Sequence, residues 1–156
     1  MSASGDLYAK ILARFQADTG AGGFFASSAP SSQDTAFLRG GVYRQDDPDD
    51  QSNNYNRIEV QIMEQDHPYF GSGADGLKML VNFRVITDYI DKFTGTDAIV
   101  QRLLHTSVGF HRWQPAASSD WNWSPMLRRS AAGQGITTQK KERITLVPFI
   151  CTARRL

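Results

Sequence analysis

The strongest constraint on the fold is the run 77–107, in which a long strand pattern is followed at once by a helix pattern. In the segment 78–90, KMLVNFRVITDYI, apolar residues occupy one parity of the pleat, which predicts a long strand. The other parity mixes apolar and polar residues, as in an antiparallel sheet with one wetter side. After a polar break, Thr96 is predicted to cap an amphipathic helix, whose apolar stripe is Ile99, Val100, Leu103, Leu104 and Val108.

The N-terminal segment predicts a second helix. Ser4 or Asp6 can cap it, and Gly20 is a plausible stop after its last turn. Its apolar stripe is Leu7, Ile11, Leu12 and Phe15. In the small-residue stretch that follows, the pair Phe24 and Phe25 is expected to be tucked into the core.

Four further strands are predicted. A short one covers 42–44, and 57–64 alternates so clearly that it should form a hairpin with the long strand. The segments 121–129 and 141–153 are predicted as a last pair that flanks a mobile tip at 130–140. Pro148 should place the final strand at an edge or a bulge.

These elements together predict an α+β fold of two layers. We expect one mostly antiparallel sheet of about four to five strands, with the N-terminal helix and one central helix packed on it. A chain of 156 residues is long enough to bury a proper core as one domain, 1–156, with exposed loops at about 45–56 and 130–141. The expected core is Leu12, Phe15, Val60, Val81, Phe83, Ile99, Leu103, Leu104 and Val147. Trp113 is the expected anchor of the connector 110–120.

Cysteine content and hydropathy bear on the compartment. The single Cys151 excludes an intrachain disulfide framework, so the cytosol is the default expectation. No apolar run approaches the roughly 18 residues of a membrane span, and we expect no membrane partner.

Charge is distributed unevenly along the chain, although its net value is +1. The segment 46–66 carries seven acids against one base, Arg57, whereas 122–156 carries seven bases against one acid, Glu142. Three interpretations are open. The two regions pair within one molecule, or they lie on separate solvated faces, or the acidic region of one copy contacts the basic region of the next. The residues expected at such an interface are Arg128, Arg129, Lys140, Lys141, Arg143, Asp46, Asp47, Asp49 and Asp50.

Catalytic and metal-binding patterns find little support. The sequence contains no nucleophile elbow, no Walker loop and no metalloprotease histidine pair. Cys151 lies in an apolar strand, where an inert packing thiol is expected. The acidic loop lacks the glycine and distal glutamate of a calcium loop. We therefore expect no enzyme activity, no catalytic residues, no metal and no cofactor.

The basic residues of the last two strands leave one other class of function open. If those strands form a hairpin, Arg128, Arg129, Lys140, Lys141 and Arg143 would cluster and could hold phosphates. A small nucleic-acid-binding module is therefore an alternative, although the neighbouring aromatic residues form no RNA-reading pattern.

The order of elements resembles the tail terminator, or tail completion, family of long-tailed bacteriophages, which performs head–tail joining. The resemblance covers most of the chain and rests on segments rather than on a catalytic motif. They are 7–15, Gly41-Val42-Tyr43, 57–63, 79–89, 97–104 and 144–153.

This resemblance implies a structural virion protein of the phage neck. Such a protein forms a ring, expected to be a hexamer of identical copies, that caps the tail tube and ends its polymerisation. It would contact the tail-tube protein and the head connector or completion protein, with DNA only as cargo passing through the ring. It would be made in the host cytoplasm and reside in the virion. A head completion or connector protein of the same neck is the nearest alternative.

Overall fold

The computed structural model describes residues 2–28, 35–45, 55–66, 76–88, 94–129, 136–137 and 142–156. It contains two helices, α1 (Ala3–Ala17) and α2 (Thr94–Leu103). The strands are β1 (Gly41–Arg44), β2 (Arg57–Asp66), β3 (Gly76–Asp88), β4 (Trp121–Trp123), β5 (Leu127–Arg128), β6 (Ile136–Thr137) and β7 (Glu142–Arg155). The predicted α+β class is confirmed.

The strands form a single sheet built around a long antiparallel centre. The order is β1-β2-β3-β7-β4, and β5 and β6 also pair with β7. The predicted hairpin is confirmed, since β2 pairs antiparallel with β3 from Arg57↔Ile86 to Asp66↔Leu77. β3 in turn pairs with β7 over its whole length. Among the described strands, only β1 and β2 run parallel, which makes the sheet mixed.

The cap of helix α1 lies two residues before Ser4 and four before Asp6, the two predicted caps. Ser2 is the N-cap, and its hydroxyl accepts the N–H of Gly5 at 3.1 Å. The predicted caps make tertiary contacts instead: the Ser4 N–H donates to Glu64 Oε1, and the Asp6 carboxylate accepts the indole N–H of Trp123 at 3.0 Å. Both contacts fix α1 against the sheet.

The C-terminal end of α1 is tied to α2 by an ion pair. Asp18 caps α1 and is 6% exposed. Its two carboxylate oxygens accept from Arg102 Nε at 2.8 Å and Arg102 Nη2 at 2.6 Å, and one of them also accepts the Phe24 N–H at 3.0 Å. This bidentate pair orients the two helices and the Phe24 loop together.

Helix α2 also begins before its predicted cap. It starts at Thr94, so Thr96 lies within the first turn, where its hydroxyl is 2.8 Å from that of Thr87 on β3. A buried cross-element hydrogen bond therefore uses the group expected to cap the helix. At the other end, the Phe110 N–H returns to the Leu103 carbonyl at 2.7 Å.

The core lies between the helices and one face of the sheet. Phe15, Phe24, Phe83, Phe110 and Phe149 form its aromatic centre, with the Phe15 and Phe83 rings edge to face at 5.7 Å. The expected core residues are buried except Leu12 and Leu104, which are partly exposed. Phe110, rather than the partly exposed Trp113, is the fully buried anchor of its connector.

The predicted strand 121–129 is interrupted. Ser124 still pairs with Thr152, but Pro125 has no N–H, and Met126 turns to exchange 2.7 Å hydrogen bonds with Arg112 and Trp113. The strand therefore splits into β4 and β5.

β7 is an interior strand, contrary to the edge position predicted from Pro148. β3 covers one side of it, and β4, β5 and β6 cover the other in succession. The Pro148 carbonyl accepts from Arg129, one residue after β5 ends. In an antiparallel strand the N–H and C=O of one residue point to the same side. The N–H that Pro148 lacks would therefore face β5, on the side of β7 where three short strands pair in succession, and not the continuous strand β3. The predicted tip lies mostly outside the described residues, but its residues Ile136 and Thr137 form β6.

Candidate assembly surfaces

A charged cluster connects the start of β2 to the start of β7. Arg57 Nη2 lies 2.8 Å from Glu142 Oε2, and Tyr55 donates its hydroxyl to the same oxygen at 3.1 Å. On the other side Arg57 is 3.9 Å from Glu59, which also pairs with Arg84 at 2.9 Å. Burial, followed by the hydrogen bond to Glu142, raises the pKa of Tyr55. The cluster is a structural tie across three strands.

This cluster contains the two residues that depart from the charge segregation along the chain. Arg57 is the lone base of the acidic region, and Glu142 is the lone acid of the basic region. These two exceptions pair with each other, so the lone base of the acidic region and the lone acid of the basic region are joined within one subunit.

The structure separates the described members of the predicted basic cluster. Arg128 and Arg129 are exposed at β5, where Arg128 lies opposite Phe149. Arg143 is half-buried six positions further along β7, about 20 Å away at the rise of a strand. Arg143 therefore does not form one patch with the other two. The remaining predicted interface residues lie outside the described residues: Lys140, Lys141, Asp46, Asp47, Asp49 and Asp50.

The face of the sheet turned away from the helices carries an apolar row. Leu80 and Ile86 of β3 are buried, yet neither belongs to the core cluster beneath the helices. Through the strand register, Leu80 lies between Met63 of β2 and Ile150 of β7, and Ile150 lies opposite Leu127 of β5. Met63 and Leu127 end this row at opposite edges and are 45% and 48% exposed.

The β2 edge of the sheet contains a step. β1 pairs with β2 only as far as Arg44↔Val60, and Gln45 donates its N–H to the Val60 carbonyl. Beyond Val60, no described strand pairs with this side of β2. A groove of about 370 Å³ lies at the step, lined by Arg44, Gln45, Val60, Gln61, Ile62 and Met63. We call it the β2 groove.

Neither end of the apolar row is among the residues predicted at an interface. Met63 did carry a signal, because it is an apolar residue on the otherwise polar parity of β2. Leu127 carried none, since its exposure depends on the break that separates β4 from β5. Neither position could be placed at an edge without the strand order.

Other chemistry is sparse in the part of the chain that the structure describes. Cys151 is buried, and burial raises the pKa of its thiol to about 12, so the thiolate needed for reactivity is scarce at neutral pH. The described residues include no group of three or more side chains that could hold a metal ion. They also include no helix with the length and apolar character needed to cross a membrane.

Comparison with known proteins gives likenesses of fold only. No protein-family model and no curated protein matches the sequence. One solved structure, whose title names no function, matches with a TM-score of 0.62 at 9% identity, covering 99% of this chain and 97% of that one. A chain of a structure titled "Virion of native gene transfer agent (GTA) particle" matches with a TM-score of 0.50 at 13% identity. That alignment covers 72% of this chain and 78% of the other.

Proposed function

We propose that the protein is a structural subunit of a phage-like virion and acts as its tail terminator. Copies assemble into a ring, expected to be a hexamer, that caps the tail tube, ends its polymerisation and joins the tail to the head connector. DNA passes through the ring as cargo. The protein itself needs no cofactor and performs no catalysis.

The observation that carries the proposal is the fold shared with a chain of a gene transfer agent virion. A virion role agrees with the order of elements, which resembles that of tail terminators. The separation of charge between two regions also suits contacts between copies, because a ring requires two different surfaces that meet head to tail.

The test is tail-tube assembly in vitro. Purified tail-tube protein of the same particle is polymerised with and without this protein, and tube lengths are measured by electron microscopy. We expect shorter tubes that carry a ring at one end, and a ring mass that is a multiple of the 17.4 kDa subunit. Tubes of unchanged length without end density would refute the terminator role.

Two further outcomes identify the alternatives. A ring that binds the connector but leaves tube growth unchanged would indicate a head completion protein. Binding of DNA by the free protein, with an affinity that falls steeply as salt increases, would indicate the nucleic-acid-binding module.

A further inference from the structure

Each end of the apolar row exposes one large apolar side chain. At one edge of the sheet, Met63 is 45% exposed and lines the β2 groove together with the partly buried Ile62 and the buried Val60. At the opposite edge, Leu127 projects with 48% of its surface exposed. Among the described residues, Met63, Leu127 and Leu156 are the exposed large hydrophobic side chains, so two of these three lie at these two edges.

The two edges also differ in charge. Glu64 follows Met63, is exposed, and lies next to the groove. Leu127 is followed by Arg128 and Arg129, both exposed. One exposed acid therefore follows Met63, beside a groove that Arg44 also lines, whereas two exposed bases follow Leu127.

We propose that the β2 groove receives Leu127 of a second copy of this chain. In this contact Leu127 lies against Met63 of the neighbour, and Arg129 lies near Glu64. The apolar row of one copy thereby continues into the row of the next. The inference rests on the proposed ring assembly and names the surface that forms it.

The main chain of β2 supports contact at this edge. The Val60 carbonyl points toward β1, so alternation along the strand directs the N–H and C=O groups of Ile62 and Glu64 to the same side. No described strand covers them there. A strand edge that no described strand covers, beside an exposed apolar side chain, is a surface that proteins either protect or use for association.

The contact is heterologous, because its two surfaces lie on different strands at opposite edges of the sheet. An open chain of copies always has one unused groove at one end and one unused Leu127 at the other. Copies can therefore keep adding until the rotation between neighbours closes a ring. The charges of Glu64 and Arg129 set the register of the contact and speed the encounter of two copies.

Cysteine cross-linking tests the contact directly. The double variant Met63→Cys/Leu127→Cys is oxidised with copper phenanthroline and run on a denaturing gel without reductant. We expect a ladder of covalent multimers from the double variant. Met63→Cys alone should give monomer, because in the proposed contact position 63 of one subunit does not meet position 63 of another. The matched control is Met63→Cys/Leu156→Cys, since Leu156 is 69% exposed and outside the contact. An equal ladder from this control, or no ladder from the test pair, would overturn the contact.

Charge reversal gives a second, independent readout. Glu64→Arg and Arg129→Glu each place like charges across the contact, so each variant alone should assemble less than wild type at low salt. An equimolar mixture should recover assembly, because alternating copies then oppose unlike charges at every contact. Melting curves must show that both variants fold, since Glu64 also accepts the Ser4 N–H. Folded variants that assemble like wild type, or a mixture that recovers nothing, would count against the contact.

Leu127→Ser separates this inference from the function on which it rests. The concentration for half-assembly should rise about tenfold or more, since tenfold corresponds to about 1.4 kcal/mol and one buried leucine contributes about that much. If the Leu127→Ser variant forms rings at the same concentration as wild type, the contact is refuted and the terminator role still stands. Wild-type protein that stays monomeric with tail-tube protein present would refute both.

Discussion

The pair between Asp18 and Arg102 offers the sharpest test of how the two helices are held. Asp18→Asn keeps the shape of the side chain, so it can still accept the Phe24 N–H, but it removes the charge that faces Arg102. The wild-type carboxylate is 4% exposed and makes contacts of 2.6 and 2.8 Å to the guanidinium, which is itself 24% exposed. The substitution therefore leaves a partly buried cation without its counter-ion.

The expected loss of unfolding free energy is about 2 to 3 kcal/mol. Hydrogen bonds to charged groups contribute about 1.5 to 3 kcal/mol, and breaking a fully buried ion pair costs about 3 to 5 kcal/mol. The partial exposure of Arg102 keeps the value below that upper range, because water can solvate the remaining charge. For a chain of this size, the melting temperature should fall by about 4 to 12 °C.

The pH dependence identifies the cause. Burial alone would raise the pKa of Asp18, but the hydrogen bonds from Arg102 and the Phe24 N–H, with the charges of Arg102 and Arg14, outweigh it and lower the pKa. The stabilisation is therefore complete above the unfolded value of about 3.9 and is lost as pH falls through the folded pKa. The deficit of Asp18→Asn should be largest at pH 7 and shrink below about pH 4.

Urea titrations at pH 7, 5 and 3 measure this deficit. Asp97→Asn is the matched control, because Asp97 is exposed in the first turn of α2 and should contribute at most about 1 kcal/mol. A deficit of Asp18→Asn no larger than that of the control at pH 7 would refute the reasoning. So would a deficit that stays constant down to pH 3.

Four further expectations concern packing and assembly. Leu103→Ala should cost about 2 to 5 kcal/mol in urea titration, because Leu103 is fully buried, and an unchanged midpoint would remove it from the core. Gly109→Ala should lower the melting temperature more than an exposed alanine substitution does, since a Cβ there would lie under 3.0 Å from carbonyl oxygens at the end of α2. Cys151 should resist alkylation by iodoacetamide until the protein unfolds, and Cys151→Ser should lower stability; assembly lost at unchanged stability would contradict a packing role. Reversing Lys140 and Lys141 to Glu should slow ring formation and change its salt dependence in light scattering while the subunit stays folded.

The regular elements could be predicted because their periodicity is local. β2 and β3 alternate clearly over ten and thirteen residues, so their existence and their pairing followed from the sequence. Helix α1 followed in the same way from its apolar stripe. Phe24 could be assigned to the core because an aromatic side chain in a small-residue loop has few other places to bury its surface.

The errors arose where a distant residue decides the local structure. Ser4 and Asp6 are good caps by chemistry, but Glu64 and Trp123 engage them, and Ser2 caps instead. The split between β4 and β5 likewise depends on hydrogen bonds from Met126 to a loop more than ten residues earlier. No local pattern encodes such partners.

The predicted interface required knowledge of strand order for the same reason. A hairpin assumption placed Arg143 with Arg128, whereas the register along β7 separates them. The charge asymmetry itself was visible in the sequence, but the pairing of its two exceptions was not.

The pairing of Arg57 with Glu142 separates residues whose substitution should affect folding from residues whose substitution should affect assembly. Arg57 and Glu142 satisfy each other within the subunit, so removing either one leaves a partly buried charge and acts on stability. Arg129 and Leu127 are exposed on the subunit, so their removal costs the isolated fold little, and under the proposed contact it acts on the association of copies. For the proposed ring, this division means that substitutions at the exposed edge change assembly while the subunit still folds.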